Sequence, residues 1–136
     1  MKPYPSQIDI NNIIKSFSNE KYKQSEKLAK KLIKTFPEHS FGWKAIAAIY
    51  TQTGRNSEAL NANQKAVNLA PNDAEAHSNL GNIFKELGRF NEAETSCRKA
   101  LELKPNLSEA YNNLGIILQE FEKLDEVQKI NTLAMI

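Results

Sequence analysis

The sequence contains very little cysteine or histidine and almost no excess of charge. Among 136 residues there are one cysteine, Cys97, and two histidines, His39 and His77. A single cysteine excludes an internal disulfide, and no spacing resembles a zinc site, so we expect a reducing compartment and no bound metal. Eighteen basic and sixteen acidic side chains leave a net charge of +2, which does not give the basic surface of a nucleic-acid-binding protein.

Long hydrophobic runs are also missing. The longest apolar run, Ala45 to Tyr50, is far too short to cross a bilayer, and the start, MKPYPSQIDINN, lacks the apolar core of a secretion signal. We therefore expect a soluble, cytoplasmic protein without a membrane partner.

An internal repeat with a period of 34 residues organises the chain. The unit from Ala74 to Pro105 recurs before and after itself, pairing Tyr50 with Phe84, Gly54 with Gly88, Ala59 with Ala93, Ala66 with Ala100, Pro71 with Pro105, Asn79 with Asn113, Leu80 with Leu114, and Gly81 with Gly115. A fixed period in this range is typical of a stacked array, in which each pair of helices buries its apolar face against its neighbours.

The repeat resembles the tetratricopeptide repeat family, whose pattern combines aromatic residues, Leu-Gly, alanines and a final proline. Two copies carry it, through Trp43, Ile46, Ala47, Tyr50, Ala59, Ala66 and Pro71, and through His77, Leu80, Gly81, Phe84, Ala93, Ala100 and Pro105. The resemblance implies an all-α fold, a right-handed α–α superhelix of about four helix-turn-helix repeats in one domain: residues 6–39 (degenerate), 40–73, 74–107 and 108–136 (incomplete).

Several residues predict where helices begin and end. We expect Ser6 and Asp73 to cap helices, Asn56 or Ser57 to cap the second helix of the second repeat, and Gly54 and Gly88 to adopt the left-handed conformation in turns. Asn63 and Cys97 replace an aromatic residue of the family pattern, so we expect looser packing there. In the fourth repeat Glu122 replaces the turn glycine, although Val127, Asn131 and Ala134 continue the second-helix spacing.

No arrangement of residues indicates catalysis. His39 follows Pro37 in a turn, while His77 and Cys97 occupy packing positions of the repeat, and the glycines lie at helix-packing and turn positions rather than in a phosphate-binding loop. We therefore expect a protein that is not an enzyme, with no catalytic residues and no cofactor.

Asn79 and Asn113 each precede a Leu-Gly pair, a position that in the family faces a concave groove. An asparagine amide can hydrogen-bond both the N–H and the C=O of an extended peptide. The alternative is that both are common residues of the repeat and face water. Ala45 occupies the matching site in the second repeat and Asn11 in the first. The same geometry directs Lys44, Ser78, Asn82, Lys85, Asn112, Ile116 and Gln119 toward the groove.

These positions lead to two functional hypotheses. The first is a protein-interaction scaffold that binds an extended peptide or a helix of a partner through Asn79, Asn113, Lys44, Asn82, Lys85 and Asn112. The second follows from the segment AEAHSNLGNIFKELGR, which is similar to the repeat arms of O-linked N-acetylglucosamine transferases and of bacterial repeat proteins with glycosyl- or sulfotransferase domains. Ala48 and Glu109 stand where chaperone-binding members carry polar and basic residues, so we expect no binding of chaperone tails.

The two ends of the sequence differ in charge. Residues 1–39 contain eight lysines and four acids, a net +4, whereas residues 108–136 contain two lysines and five acids, a net −3. The chain ends with the apolar residues 133–136, Leu-Ala-Met-Ile. This asymmetry favours head-to-tail contact, and self-association through the C-terminal helix is a third hypothesis.

Overall fold

A computed structural model describes residues 4–134, and these residues form seven α-helices and no strand. The helices are α1 (Gln7–Ser18), α2 (Tyr22–Thr35), α3 (Ser40–Gln52), α4 (Asn56–Leu69), α5 (Ala74–Glu86), α6 (Phe90–Leu103) and α7 (Ser108–Ala134). The fold is the right-handed α–α superhelix that the sequence predicts. In the described part of the chain no helix is both long enough and apolar enough to cross a membrane.

Consecutive helices pack as hairpins, and each hairpin joins the next mainly where its second helix packs against the following first helix. The most extensive contacts join α3 to α4 and α5 to α6, and the first helices α1, α3, α5 and α7 each touch the next one in the series. Within residues 4–134 the backbones of the second helices α2, α4 and α6 do not approach one another, although the Arg55 side chain at the start of α4 reaches Glu26 of α2. The first helices therefore line one wall of the stack, and the second helices form the opposite wall.

The turns inside the hairpins depend on glycine. Gly54 has a φ angle of 78° and Gly88 a φ angle of 75°, which confirms the left-handed conformation that glycine adopts without a steric penalty. α4 ends two residues before Pro71 and α6 two residues before Pro105, because proline lacks the amide that would continue the helix.

Two of the expected helix caps are present and one is not. The Ser6 side chain accepts a hydrogen bond from the Asp9 amide, and the Asp73 side chain accepts one from the Ala76 amide. The prediction for α4 was wrong, because Arg55 occupies the cap position without a side-chain hydrogen bond and Asn56 is already helical.

Small residues bring the helices of a hairpin close together. Ala93 and Cys97 of α6 are completely buried, and a Cβ atom added to Gly81 would lie 2.5 Å from Cys97 Sγ. Asn63 of α4 is also completely buried, and its amide donates a 2.8 Å hydrogen bond to the Ala76 carbonyl of the next repeat. The looser packing expected at Asn63 and Cys97 is therefore not observed at either residue.

The fourth unit is a single helix rather than a hairpin. α7 continues through Glu122 to Ala134, which corrects the expectation of a second helix after a turn. Without glycine near residue 122 the left-handed turn is costly, and the segment QEFEKLDE consists mostly of good helix formers. Val127, Asn131 and Ala134 are consequently exposed, and Met135 and Ile136 lie outside the described residues.

Candidate peptide-binding groove

The wall formed by the first helices contains two adjoining cavities at the junction of α3 and α5. One, with a volume of about 180 Å³, lies among α1, α3 and α5, and the other, of about 120 Å³, lies between α3 and α5. Asn79 lines both cavities, and Asn82, one turn later on α5, lines the smaller one. α5 thus places two of the expected groove residues side by side.

The amide of Asn79 is the polar group best placed to bind a ligand. Asn79 is half-buried, and no residue among 4–134 forms a hydrogen bond with its side chain. Asn82 is also half-buried and likewise has no side-chain hydrogen bond within the described chain. Both amides can therefore donate to and accept from a peptide backbone laid along α5.

Lys44 reaches the larger cavity, but acidic side chains neutralise its charge. Its Nζ atom lies 2.9 Å from Asp73 Oδ2 and 3.7 Å from Glu75 Oε2. Burial opposes ionisation of Asp73, yet the hydrogen bonds from Lys44 and from the Ala76 and Glu75 amides outweigh it and lower the pKa of Asp73. Lys44 thus links the Asp73 helix cap to the groove instead of presenting an unpaired cation.

Lys85 and Asn113 interact with each other rather than lying open to a ligand. Lys85 Nζ donates a 3.2 Å hydrogen bond to Asn113 Oδ1, and it lies 3.8 Å from Glu86 Oε1. Asn79 and Asn113 therefore differ, because the Asn79 amide has no hydrogen-bond partner within residues 4–134 while the Asn113 carbonyl already accepts a hydrogen bond from Lys85. Asn11, at the matching site of α1, accepts a hydrogen bond from Gln7.

The remaining expected groove residues are distributed unevenly. Asn112, Ile116 and Gln119 are exposed on α7. Ser78 is buried, and its hydroxyl has no hydrogen-bond partner within residues 4–134. The expectation that Ser78 projects into the groove was therefore wrong, because the packing of the repeats covers this position on α5.

Sequence reasoning missed the apolar floor of the larger cavity. Ile13, Ile14 and Phe17 come from α1, and Phe41 and Ala48 come from α3. The signal was present, since the isoleucines and the phenylalanine follow helical spacing in the first repeat, but nothing in the sequence showed that they meet α3 beside Asn79. The groove therefore offers an apolar recess next to an amide.

The two histidines and the cysteine have structural positions. His39 Nδ1 accepts a hydrogen bond from the Phe41 amide at the start of α3, and His77 Nε2 lies 2.7 Å from the Pro71 carbonyl oxygen. Burial raises the pKa of the Cys97 thiol to about 11. Among the residues that the structure describes, no group of three or more His, Cys, Asp or Glu side chains could hold a metal ion.

Comparisons with solved structures give repeat proteins of the same fold. The first TPR of Spaghetti (RPAP3), bound to an HSP90 peptide, superposes with a TM-score of 0.82 and 25% identity, covering 90% of this chain and 99% of that chain. A mutant O-GlcNAc transferase from Thermobaculum terrenum superposes with a TM-score of 0.80 and 24% identity, covering 82% of this chain but only 22% of that one.

Comparisons of sequence agree with the fold. The Arabidopsis thaliana protein named CTR9 homolog is 39% identical over 51 residues, which are 38% of this chain and only 5% of that protein. Two family models described as tetratricopeptide repeat match residues 74–107 and 96–129, and one described as TPR repeat matches residues 47–88. These matches together span residues 47–129, more than half of the 136, and the chain therefore belongs to the tetratricopeptide repeat family.

Proposed function

We propose that this chain is a non-enzymatic protein-interaction scaffold that binds an extended segment or a helix of a partner along the wall formed by α1, α3 and α5. The observation that carries the proposal is the half-buried Asn79 amide, which lines two cavities and has no hydrogen-bond partner within residues 4–134. A half-buried amide gains most from a ligand that supplies both a donor and an acceptor, as a peptide backbone does.

The cavity next to Asn79 supports a peptide as the ligand. Its volume of about 180 Å³ is enough for one apolar side chain, and most of the residues that line it are apolar. A peptide held at its backbone by Asn79 would therefore place a side chain against Phe17 and Phe41. Burial of apolar surface would supply affinity, while the amide would fix the position of the peptide.

The charges of the groove favour a segment without a carboxylate at this position. Lys44 is paired with Asp73 and Glu75, and Lys85 is bound to Asn113. A carboxylate would have to compete with the existing partners of both lysines. We therefore propose that the partner of this chain differs from the acidic HSP90 peptide bound by the similar RPAP3 domain.

The test compares asparagine substitutions on the two walls. Partners are captured quantitatively from the source cell with wild type, with the groove variant Asn79→Ala/Asn113→Ala and with the control Asn61→Ala/Asn91→Ala. The asparagines of the control are exposed and lie on α4 and α6. The binding segment of the captured protein is then titrated by calorimetry. The groove variant should lose about 1–3 kcal/mol of binding free energy, because backbone groups of the peptide lose their partners.

The single variants sharpen this test. Asn79→Ala should account for most of the loss, since the Asn113 carbonyl is engaged by Lys85. Equal affinity of wild type and the double groove variant would remove Asn79 from the mechanism. A loss in the α4/α6 control would place the binding surface on the opposite wall.

A second candidate is that the chain is the substrate-targeting arm of a glycosyl- or sulfotransferase. The segment AEAHSNLGNIFKELGR, from Ala74 to Arg89, favours it through its likeness to the arms of such enzymes. In this case the catalytic domain lies elsewhere in a longer protein or on another chain. The reading frame beyond Ile136 in the source genome tests this second candidate. A reading frame that encodes no transferase domain, combined with the absence of any transferase among the captured proteins, would count against it.

A further inference from the structure

We propose that the exposed tail of α7, residues 122–134, binds in a groove between α1 and α2 of a second copy of this chain, so that copies associate head to tail. The two surfaces lie at opposite ends of the stack, and of the residues that line the groove only Ile13 also lines a cavity beside Asn79. The inference is therefore independent of the proposed peptide binding.

The receiving groove consists of two adjoining cavities between α1 and α2, with volumes of about 420 and 360 Å³. Leu28 and Asn12 line both of them, and Phe36 and Leu32 contribute to an apolar floor. The lining extends from Lys21 to Phe36 along α2, a length of about 22 Å at the helical rise per residue. This is long enough for about four turns of a helix.

The rim of this groove is basic. Lys15, Lys21 and Lys31 line it, and Asp9 is the only acidic residue among the residues that line the two cavities. All three lysines are exposed, and none forms an ion pair within the described part of the chain. Residues 7–35 contain seven lysines and three acids, a net charge of +4. The groove therefore attracts an acidic ligand that also has an apolar face.

The tail of α7 has this combination. Every described residue from 122 to 134 is exposed, including Leu124, Val127, Ile130 and Leu133. The tail itself contains three acids and two lysines, a net charge of −1, and α7 as a whole has a net charge of −3. Thirteen helical residues span about 20 Å, which matches the length of the groove. Opposite charge and similar length make a second copy of this chain a suitable occupant.

The contact is one-sided, because the groove and the tail are different surfaces. A copy whose groove is filled still has an exposed tail, so association continues from copy to copy unless an end is blocked. A single helix in a groove is a small interface, so the association should be weak and concentration-dependent. It should also weaken at high salt, because the opposite charges at the rim are solvent-exposed.

The experiment measures association by sedimentation over a wide range of protein concentration with the full chain. One variant, Lys15→Glu/Lys31→Glu, reverses the charge of the groove, and another, Val127→Gln/Ile130→Gln, removes apolar contacts from the tail without a helix-breaking residue. Each should lower the association constant roughly tenfold, which corresponds to about 1.4 kcal/mol. The control Lys23→Glu/Lys27→Glu makes the same change of charge on exposed residues of α2 outside the groove and should associate like wild type.

Mixing the two variants distinguishes this arrangement from any symmetric dimer. The groove variant keeps an intact tail and the tail variant keeps an intact groove, so the equimolar mixture should form a one-to-one complex that does not grow further. Circular dichroism establishes that both variants remain helical. A wild type that stays monomeric at every concentration, an unchanged association of the groove variant, or a mixture without the one-to-one complex would each overturn the proposal.

Discussion

The third repeat and the fourth unit carry nearly the same sequence pattern but differ in structure. In α5, His77 and Phe84 are 9% and 6% exposed, whereas the matching residues of α7, Tyr111 and Leu118, are 54% and 40% exposed. Gly81 packs against Cys97, but a Cβ at Gly115 would meet nothing within 4 Å. α7 still buries Ala110, Leu114 and Ile117 against the preceding hairpin. The remaining apolar side of a first helix is therefore buried only when the chain can turn and bring a second helix back.

The largest expected effect is the difference in stability between alanine substitutions at the two matching glycines. Gly81→Ala places a Cβ atom 2.5 Å from Cys97 Sγ and 3.3 Å from the Ala93 carbonyl oxygen, so it should lower the free energy of unfolding by about 1–3 kcal/mol. Gly115→Ala meets open space and should raise it by up to about 1 kcal/mol through helix propensity. Urea denaturation of both variants measures the difference.

A second substitution checks the cause of this loss. Adding Cys97→Ala to Gly81→Ala removes the closest atom, so part of the lost stability should return, even though Cys97→Ala alone leaves a small cavity. Equal unfolding free energies for Gly81→Ala and Gly115→Ala would contradict the description of the third repeat as the closely packed one.

Thiol chemistry provides a further measure of burial in the third repeat. A rise in the pKa of Cys97 from 9.0 to about 11 reduces the thiolate fraction near neutral pH about 100-fold. Native protein should therefore react with a thiol reagent at least about 100-fold more slowly than the urea-unfolded chain. A cysteine introduced as Leu118→Cys in a Cys97→Ala background should react rapidly, because residue 118 is exposed.

Acid should weaken the first two repeats but not α7. Arg55 and Lys30 hydrogen-bond Glu26 and lower its pKa from 4.5 to about 2. Because the folded-state pKa lies below the unfolded one, this stabilisation is present above about pH 4.5 and is lost as the pH falls toward 2. After allowance for solvent screening it should amount to about 1 kcal/mol.

The measurement is the free energy of unfolding between pH 5 and pH 2. Glu26→Gln should flatten its pH dependence, since this ion pair joins α2 to the start of α4. The control Glu120→Gln removes an exposed pair with Lys123 inside one helix and should change the profile very little. Identical profiles for wild type and Glu26→Gln would rule out this contribution.

The smallest effect tests why α7 continues as one helix instead of turning back. Glu122→Gly supplies the residue that adopts a positive φ in the turns at Gly54 and Gly88. We expect the tail to fold back over Tyr111 and Leu118, with a smaller radius of gyration in X-ray scattering and less exposure of Tyr111. Glu122→Ala, which favours the helix, should leave both quantities unchanged. A straight helix in both variants would show that the missing glycine is not the cause.

The sequence predicted the fold well because the repeat period, the turn glycines and the small packing residues are local and recur in phase. It failed where a residue depends on its neighbours in space. The sequence suggested loose packing at Asn63, yet its side chain donates a hydrogen bond to the Ala76 carbonyl. Ser78 is buried by neighbouring helices, and the sequence of α5 alone does not predict this burial.

The groove was predictable only in outline. Helical spacing places Asn79 and Asn113 in equivalent positions, but only the folded structure shows that Lys85 binds Asn113 and leaves Asn79 open. The pairing of Lys44 with Asp73 joins residues 29 positions apart, and such contacts depend on how repeats stack. The function of these side chains as a peptide-binding site remains a prediction.

The separation of the second helices has a mechanical consequence. Within residues 4–134, successive repeats touch mainly where each second helix packs against the next first helix, while the backbones of α2, α4 and α6 stay apart. Small rotations of one hairpin against the next thus change the curvature of the stack without separating packed backbones of the outer helices, and among these helices the Glu26–Arg55 ion pair is the contact that would have to adjust. Such bending would change the width of the groove along the first helices and so adjust it to ligands of different thickness.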